Sequence, residues 1–237
     1  TTMHFSAFRG PKLLIVLVPV IIFFPILLWP LPSALTDIDH QRSVAITDRN
    51  GELLYEVRKP SLGLKTHVPL SSMPQSLIDA ALAIEDRNFY THGGVDFRAI
   101  ARAAWQNITA GEIVSGGSTI TQQLVRNILQ PPRRTVAYKL QEALYAVKME
   151  WRMSKEDILE EYLNTAYFGH QAYGIAAAAK TYFGKTPAEL SLAQSALLIG
   201  LVQSPSAYDP FVRMNAAIER QKRVLDAMVS ASDLTPE

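Results

Sequence analysis

Ile84-Glu85-Asp86-Arg87-Asn88-Phe89-Tyr90-Thr91-His92-Gly93-Gly94-Val95-Asp96 is the stretch on which the reading of this chain turns. Upstream of it, Leu77, Ala80, Ala81 and Ile84 recur at helical spacing. A helix is therefore predicted whose last turn delivers Glu85 and Asp86. Downstream, Gly93 and Gly94 open a loop. A carboxylate at a helix end beside a glycine loop is positioned by the scaffold and still open to a substrate. A solvated acidic helix end with a satisfied histidine explains the same spacing, because charge clusters are common there. The rest of the chain has to decide between the two.

Toward the N-terminus, Leu13 to Leu31 carries no charge and is interrupted by Pro19, Pro25 and Pro30. About 20 residues at ~1.5 Å rise span a ~30 Å hydrocarbon core. Arg9 and Lys12 precede the run, and Asp37 and Asp39 follow it. That asymmetry places residues 1–12 in the cytoplasm and predicts a single-pass, type II anchor over 13–32. Trp29 suits the outer interface. A cleaved signal peptide is the alternative, with Ser33-Ala34 as its best cleavage site, but the run is long for one. Residues 33–69 read as a polar stalk and a β-hairpin. The turn signal Asp48-Arg49-Asn50-Gly51 lies between extended patterns at Ser43 to Thr47 and Leu53 to Val57.

Residues 70–237 read as one helical domain. Ser72 and Pro74 start the helix that leads to Glu85. Phe97, Ile100, Ala104 and Ile108 mark the next. Gly116-Gly117-Ser118 opens another, with Ser118 as N-cap and Ile120, Leu124 and Ile128 facing inward; Pro131 and Pro132 end it. Thr135 to Trp151 is a long helix with Leu140, Leu144, Val147 and Trp151 on one stripe and Lys139 beside Glu142 at i,i+3. Ser154 and Asp157 form a capping-box start for Ile158 to Leu163, and Asn164 to Gly169 reads as a turn. Ala172 to Phe183 is rich in small residues and ends at Gly184. Leu192 to Val202 is almost wholly apolar and too short to span, so it is a core helix. Met214 to Val229 closes the chain as an amphipathic helix. The fold class is mainly α, with a small β element and one N-terminal transmembrane helix.

Composition narrows the function classes. The chain has 237 residues, a net charge of +1 and no cysteine. The charge gives no field directed at nucleic acid. The missing thiols exclude disulfides, thiol catalysis and thiolate metal sites. What is left is a polar set gathered from helix ends: Glu85, Asp86, Asp96 and Glu142 as carboxylates, Arg87, His92, Arg126, Arg134 and Lys139 as cations, and Gly117, Ser118, Thr119, Gln122 and Gln123 at a helix start. A glycine-led helix start suits an anion, and Arg and Lys suit phosphate oxygens. Two separated carboxylates suit glycosyl chemistry. With an anchor added, a lipid-linked phosphosugar fits the set. Helix caps and surface ion pairs explain each feature singly.

Taken together, the motifs resemble those of the family 51 peptidoglycan glycosyltransferases. Ile84 to Asp96 resembles the first motif of that family. Gly116-Gly-Ser-Thr-Ile-Thr-Gln-Gln123 resembles the second, and Lys139-Leu-Gln-Glu142 the core of the third. Ile158 to Asn164 with Tyr167-Phe-Gly169 resembles the fourth, and Ala179 to Lys185 followed by Leu190 to Pro210 the C-terminal portion. The resemblance implies a lysozyme-like helical glycosyltransferase domain with a lobe dipping toward the membrane. It implies polymerisation of lipid II into β-1,4-linked glycan strands, with release of undecaprenyl diphosphate and inversion at the transferred sugar.

Carried over, Glu85 is the base for the acceptor hydroxyl, and Glu142 is the second catalytic carboxylate, near the donor diphosphate. A divalent cation, Mg or Mn, is the one implied cofactor. Asp86, Ser118, Gln122, Gln123, Arg126, Arg134 and Lys139 would bind substrate. His92, Asp96 and Asn164 would give structural support. The implied partners are lipid II, the growing glycan strand, membrane lipid and other cell-wall synthesis proteins.

Two features depart from or extend that pattern. Tyr138 stands where the third motif usually has an arginine, which puts one diphosphate contact in doubt. The hairpin at Asp48 to Gly51 resembles the segment that leads into bifunctional class A penicillin-binding proteins, here type 1C-like. No serine has a lysine three residues on, so the Ser-x-x-Lys of a transpeptidase is not in this sequence, and a longer protein is expected. A glycan-cutting lysozyme-like enzyme and an inactive membrane scaffold are the competing readings. Phe97, Trp105, Ile108, Ile113 and Val114 are expected on a membrane-facing lobe.

Overall fold

A computed structural model of the chain describes residues 30–36, 44–49, 53–57, 66–112, 116–133 and 135–231. The chain divides into two compact units, Thr1–Pro32 and Ser33–Glu237, and only residues 30–32 of the first are described. The expected anchor, as far as residue 29, lies outside the described residues. Among the described residues, no helix is long and apolar enough to cross a membrane.

The second unit is mainly helical. Its elements run α1 (Ser33–Thr36), β1 (Val44–Thr47), β2 (Leu53–Val57), α2 (Gln75–Glu85), α3 (Phe97–Ala110), α4 (Ile120–Leu129), α5 (Val136–Glu150), α6 (Lys155–Thr165), α7 (Ile175–Phe183), α8 (Leu192–Val202) and α9 (Met214–Ser230). β1 and β2 pair antiparallel, with Val44 opposite Val57 and a register shift between Ile46 and Thr47. The hairpin is where the turn signal places it.

Two helix groups build the body. α2, α8 and α9 pack on one another, and α4 packs on α5 and α6. α8 buries Ala196, Leu198, Ile199 and Leu201, as a helix apolar on all sides must. α2 buries Leu77, Ile78, Ala80 and Ala81, and its alanines let the neighbouring backbones come close. α4 contributes Ile120, Leu124 and Val125, and α6 contributes Ile158, Leu159, Tyr162 and Leu163. Glu85 ends α2 where side chains from both groups meet.

Three local expectations are corrected, at the start of α4, on α5 and at the end of α6. Thr119, not Ser118, caps α4: its hydroxyl accepts from the Gln122 N–H, and Gln122 answers in a capping box. On α5 the buried residues are Glu142, Ala146 and Met149 at i, i+4 and i+7, together with Lys148, while Leu140 and Trp151 are exposed. Gly94, at φ +88, packs on this face: a Cβ there would sit 2.7 Å from the Ala146 carbonyl carbon, so the 86–96 loop lies directly on the α5 backbone at Ala146. On α3 the apolar stripe faces outward, as a membrane-facing lobe requires, with Phe97, Trp105 and Ile108 exposed at 77, 70 and 76% and only Ala103 buried; Ile113 and Val114 lie outside the described residues. Finally, α6 continues to Thr165, so Asn164 is helical rather than part of a turn.

Candidate active site

The first turns of α4 are the hub of the polar cluster. The Ile120 N–H donates to Asp86 Oδ2 at 2.9 Å. Thr119 Oγ1 donates to the Gly94 carbonyl at 2.7 Å, and Thr121 Oγ1 donates to Glu150 Oε1 at 2.6 Å. Every one of these draws the 86–96 loop or α5 onto a helix N-terminus, where unpaired N–H groups favour a carboxylate. Gly117, just before the helix, packs against α3: a Cβ on it would lie 2.8 Å from the Ile100 Cα.

Glu85 is held from both helix groups. Gln123 Nε2, on α4, donates to Glu85 Oε2 at 2.8 Å. From α9, Arg220 Nη2 lies 3.9 Å from Glu85 Oε1, too far for a hydrogen bond. Oε1 is buried and makes no hydrogen bond among the described residues. Burial pushes the Glu85 carboxyl above the ordinary carboxylate range, against the Gln123 amide and the Arg220 and Arg126 cations, which pull it down. The Gln123 Oε1 accepts from Tyr162 Oη and from Arg126 Nη2, each at 3.4 Å. Burial raises the Tyr162 phenol well above its ordinary value, so it stays a donor.

Glu142 is buried and contacts the Lys139 ammonium, whose Nζ also donates to Ser118 Oγ at 2.8 Å. Ser118, Lys139 and Glu142 thus form one chain of contacts across α4 and α5. The Tyr138 hydroxyl is buried without a hydrogen bond among the described residues. Burial raises its phenol, and the nearby Glu142 carboxylate adds to the rise. As for a metal, Glu142 brings one carboxylate already paired with Lys139. Among the described residues, no cluster of three potential ligands includes it. These side chains alone do not cage a cation. A Mg2+-type site with one carboxylate would need substrate phosphates to complete it.

The 86–96 loop is tied at both ends. His92 Nε2 donates to Asp86 Oδ2 at 2.9 Å, and the His92 carbonyl accepts from Lys155 Nζ at 2.7 Å. Lys155 also pairs with Glu150 at 2.6 Å and lies 4.5 Å from the Phe89 ring centroid. Asp96 caps α3, accepting from the Ala99 N–H at 2.9 Å and from Asn88 Nδ2 at 3.0 Å. The Asn88 bond leads in holding its carboxyl below the usual range. Arg87 donates to the Ser230 carbonyl at the end of α9, not to a carboxylate.

The cluster therefore joins Glu85, Asp86, His92, Ser118, Gln123, Arg126, Lys139 and Glu142 to the start of α4 and its neighbours. Gln122 is buried and occupied by its capping box, so its part is to hold the helix start. Asn164 lies apart from the others in its contacts: it accepts from the Val68 N–H at 2.9 Å and donates to the Val68 carbonyl at 2.8 Å. Arg134 lies outside the described residues. Arg126 lines a cleft of about 280 Å³ with Asn127, Gln130, Pro131, Thr165, Tyr167 and Tyr173. Sequence reading missed Arg220 and Tyr162. Tyr162 stands inside the fourth motif and could have been found there. Arg220 is one cation on an amphipathic helix, more than a hundred positions from Glu85, with no local signal.

A family model described as Transglycosylase matches residues 50–229, and all the motifs above fall inside it. Penicillin-binding protein 1A of Aquifex aeolicus (strain VF5) is 41% identical over 208 residues, 88% of this chain and 28% of that protein. Penicillin-binding protein 2D of Bacillus subtilis (strain 168) is 46% identical over 161 residues, 68% of this chain and 23% of that protein. Penicillin-binding protein 1A of Escherichia coli (strain K12) is 38% identical over 207 residues, 86% of this chain and 24% of that protein. A crystal structure of penicillin-binding protein 1A from Haemophilus influenzae matches at a TM-score of 0.44 and 26% identity, over 82% of this chain and 19% of that one. The chain spans about a quarter of the length of the curated relatives it matches. By the extent of the family match, the chain belongs to the transglycosylase family.

Proposed function

We propose that this chain is the peptidoglycan glycosyltransferase part of a class A penicillin-binding protein, polymerising lipid II for the bacterial cell wall. The observation that carries the reading is the state of Glu85. One carboxylate oxygen is fixed by Gln123, and the other, Oε1, is buried with no hydrogen bond among the described residues. A base needs an oxygen that accepts no other hydrogen bond, and Oε1 is that oxygen.

In this reading Glu85 Oε1 takes the proton of the acceptor sugar's 4-hydroxyl as that oxygen attacks the donor's anomeric carbon. The bond from that carbon to the diphosphate breaks, undecaprenyl diphosphate leaves from the opposite face, and configuration inverts. Glu142 is the second carboxylate, on the donor side. Ser118, Lys139, Arg126 and Arg134 hold the diphosphate; Glu142 would hold a Mg or Mn ion on that side, which would supply positive charge to offset the leaving diphosphate. Asp86, His92 and Asp96 fix the loop that carries the base. Residues 13–32 anchor the chain in the inner membrane with the enzyme on its outer, periplasmic side. The outward face of α3, with Phe97, Trp105 and Ile108, rests on the bilayer where the lipid tail is admitted. Membrane lipid, the glycan strand and other cell-wall synthesis proteins are its partners.

The test is incubation of the detergent-solubilised chain with labelled lipid II, with and without divalent cation, and a gel of the products. A ladder of strands that is lost in Glu85→Gln supports the reading. Shortening of preformed glycan instead of growth would mean a cutting enzyme. An unchanged rate in Glu85→Gln would refute Glu85 as the base.

A further inference from the structure

We propose that His67, Glu160 and Glu161 form a binding site for a divalent transition-metal ion, with Zn2+ as the best fit. It is separate from the cation implied at Glu142. His67 lies on the segment that enters the domain just before the 3₁₀ turn Leu70–Ser72, and the two glutamates lie on α6. The His67 Nε2 is 3.1 Å from Glu160 Oε1 and 3.4 Å from Glu161 Oε1. Yet this buried nitrogen makes a hydrogen bond with neither. An imidazole pinned only by ion pairing would aim its N–H at one of them.

The two His67–glutamate spacings match what a central ion imposes. Nitrogen and oxygen ligands bound at about 2.0–2.2 Å sit roughly 3.0–3.5 Å from each other around a tetrahedral or octahedral ion. One ligand atom from each of the three residues lies within 4.8 Å of the others. The support around the site is in place too. Glu160 uses Oε2 to accept the Leu70 N–H at 2.7 Å, which orients the carboxylate and leaves Oε1 facing the histidine. One imidazole and two carboxylates suit Zn2+ or Mn2+, whereas Mg2+ prefers oxygen alone. Bound there, the ion would fasten the incoming segment to α6 beside the Val68–Asn164 hydrogen bonds. Such a clamp is structural and lies outside the sugar chemistry.

The detergent-solubilised full chain, stripped with chelator and freed of it, is titrated with zinc sulfate by calorimetry and melted with and without the ion. One saturable equivalent and a rise in Tm are expected. Affinity should fall at least tenfold in His67→Ala and in Glu161→Gln. Glu161→Gln keeps the volume of the side chain and serves where His67→Ala does not fold. Glu142→Gln should bind zinc as the parent does, which separates this site from the donor-side cation. Any of three results would overturn the site: no saturable binding, equal binding in both variants, or an equal effect of Mg2+ at the same concentration. The first of these would leave His67 as an ion-paired imidazole between two carboxylates.

Discussion

Gln123 Nε2 donates to Glu85 Oε2 at 2.8 Å, while the same amide's oxygen accepts from Tyr162 and Arg126. One side chain therefore sets the plane of the carboxylate and decides which of its oxygens is left over. Gln123→Ala should lower the polymerisation rate about 100-fold through misplacement of the base. It should cost about 1–3 kcal/mol of stability, because buried partners lose their bonds. Lipid II turnover and urea denaturation on the same preparation check both. A full rate in Gln123→Ala would show that the amide does not orient Glu85.

Arg220 is the cation that reaches Glu85 from the other helix group. Burial raises the Glu85 carboxyl, and Arg220 acts against that rise. A base works only when ionised, so activity is lost as pH falls through this raised pKa. The acid limb of the pH–rate profile should lie above the ordinary carboxylate range. Arg220→Met should move that limb to higher pH, and Arg220→Lys should move it less. A limb that stays in place in Arg220→Met would remove Arg220 from this role.

The raised pKa also fixes the sign of a stability effect. A carboxyl whose folded pKa exceeds its unfolded value stabilises the fold when protonated, and that contribution is lost as pH rises through the folded pKa. At neutral pH the ionised Glu85 is therefore a cost to the fold. Glu85→Gln should abolish polymerisation and raise Tm near pH 7. The gain over the parent should shrink at acidic pH, where the parent also carries a neutral group. Thermal melts at two pH values measure it, and a lower Tm in Glu85→Gln at both would contradict the burial argument.

These three residues also show what the sequence could and could not tell. Glu85 was legible because helical spacing and a Gly-Gly loop bracket it. Gln123 was legible as part of a motif, but its partner was not, since a helix-start glutamine can face substrate, cap or carboxylate alike. Ser118 reads as the cap in the sequence because Gly116-Gly117-Ser118 opens the helix. Thr119 is the cap because its hydroxyl reaches Gln122 while Ser118 meets Lys139. Arg220 was silent because only tertiary packing of α9 on α2 brings it near Glu85. The α5 stripe misled for a related reason: periodicity marks an apolar face, and packing against the 86–96 loop decided that the face with Glu142 goes inside.

The outward stripe of α3 gives the last test. Phe97, Trp105 and Ile108 sit at helical spacing, which ordinarily marks a core face, yet each is more than two-thirds exposed. Substitution at such positions should change stability by no more than about 0.5 kcal/mol, because little packing is lost. A bilayer contact would be lost in full, since each large apolar side chain contributes about 1.5–3 kcal/mol on burial. The double variant Trp105→Ser, Ile108→Ser is therefore expected to melt like the parent and to bind lipid II-bearing liposomes less tightly. It should also show a raised KM for lipid II in vesicles and a kcat near the parent value. Because the proposed anchor at residues 13–32 would hold a full chain on a vesicle, the binding comparison uses chains that begin after it. Unfolding of the double variant would mean that the stripe is core after all. Unchanged liposome binding would mean that α3 does not touch the bilayer.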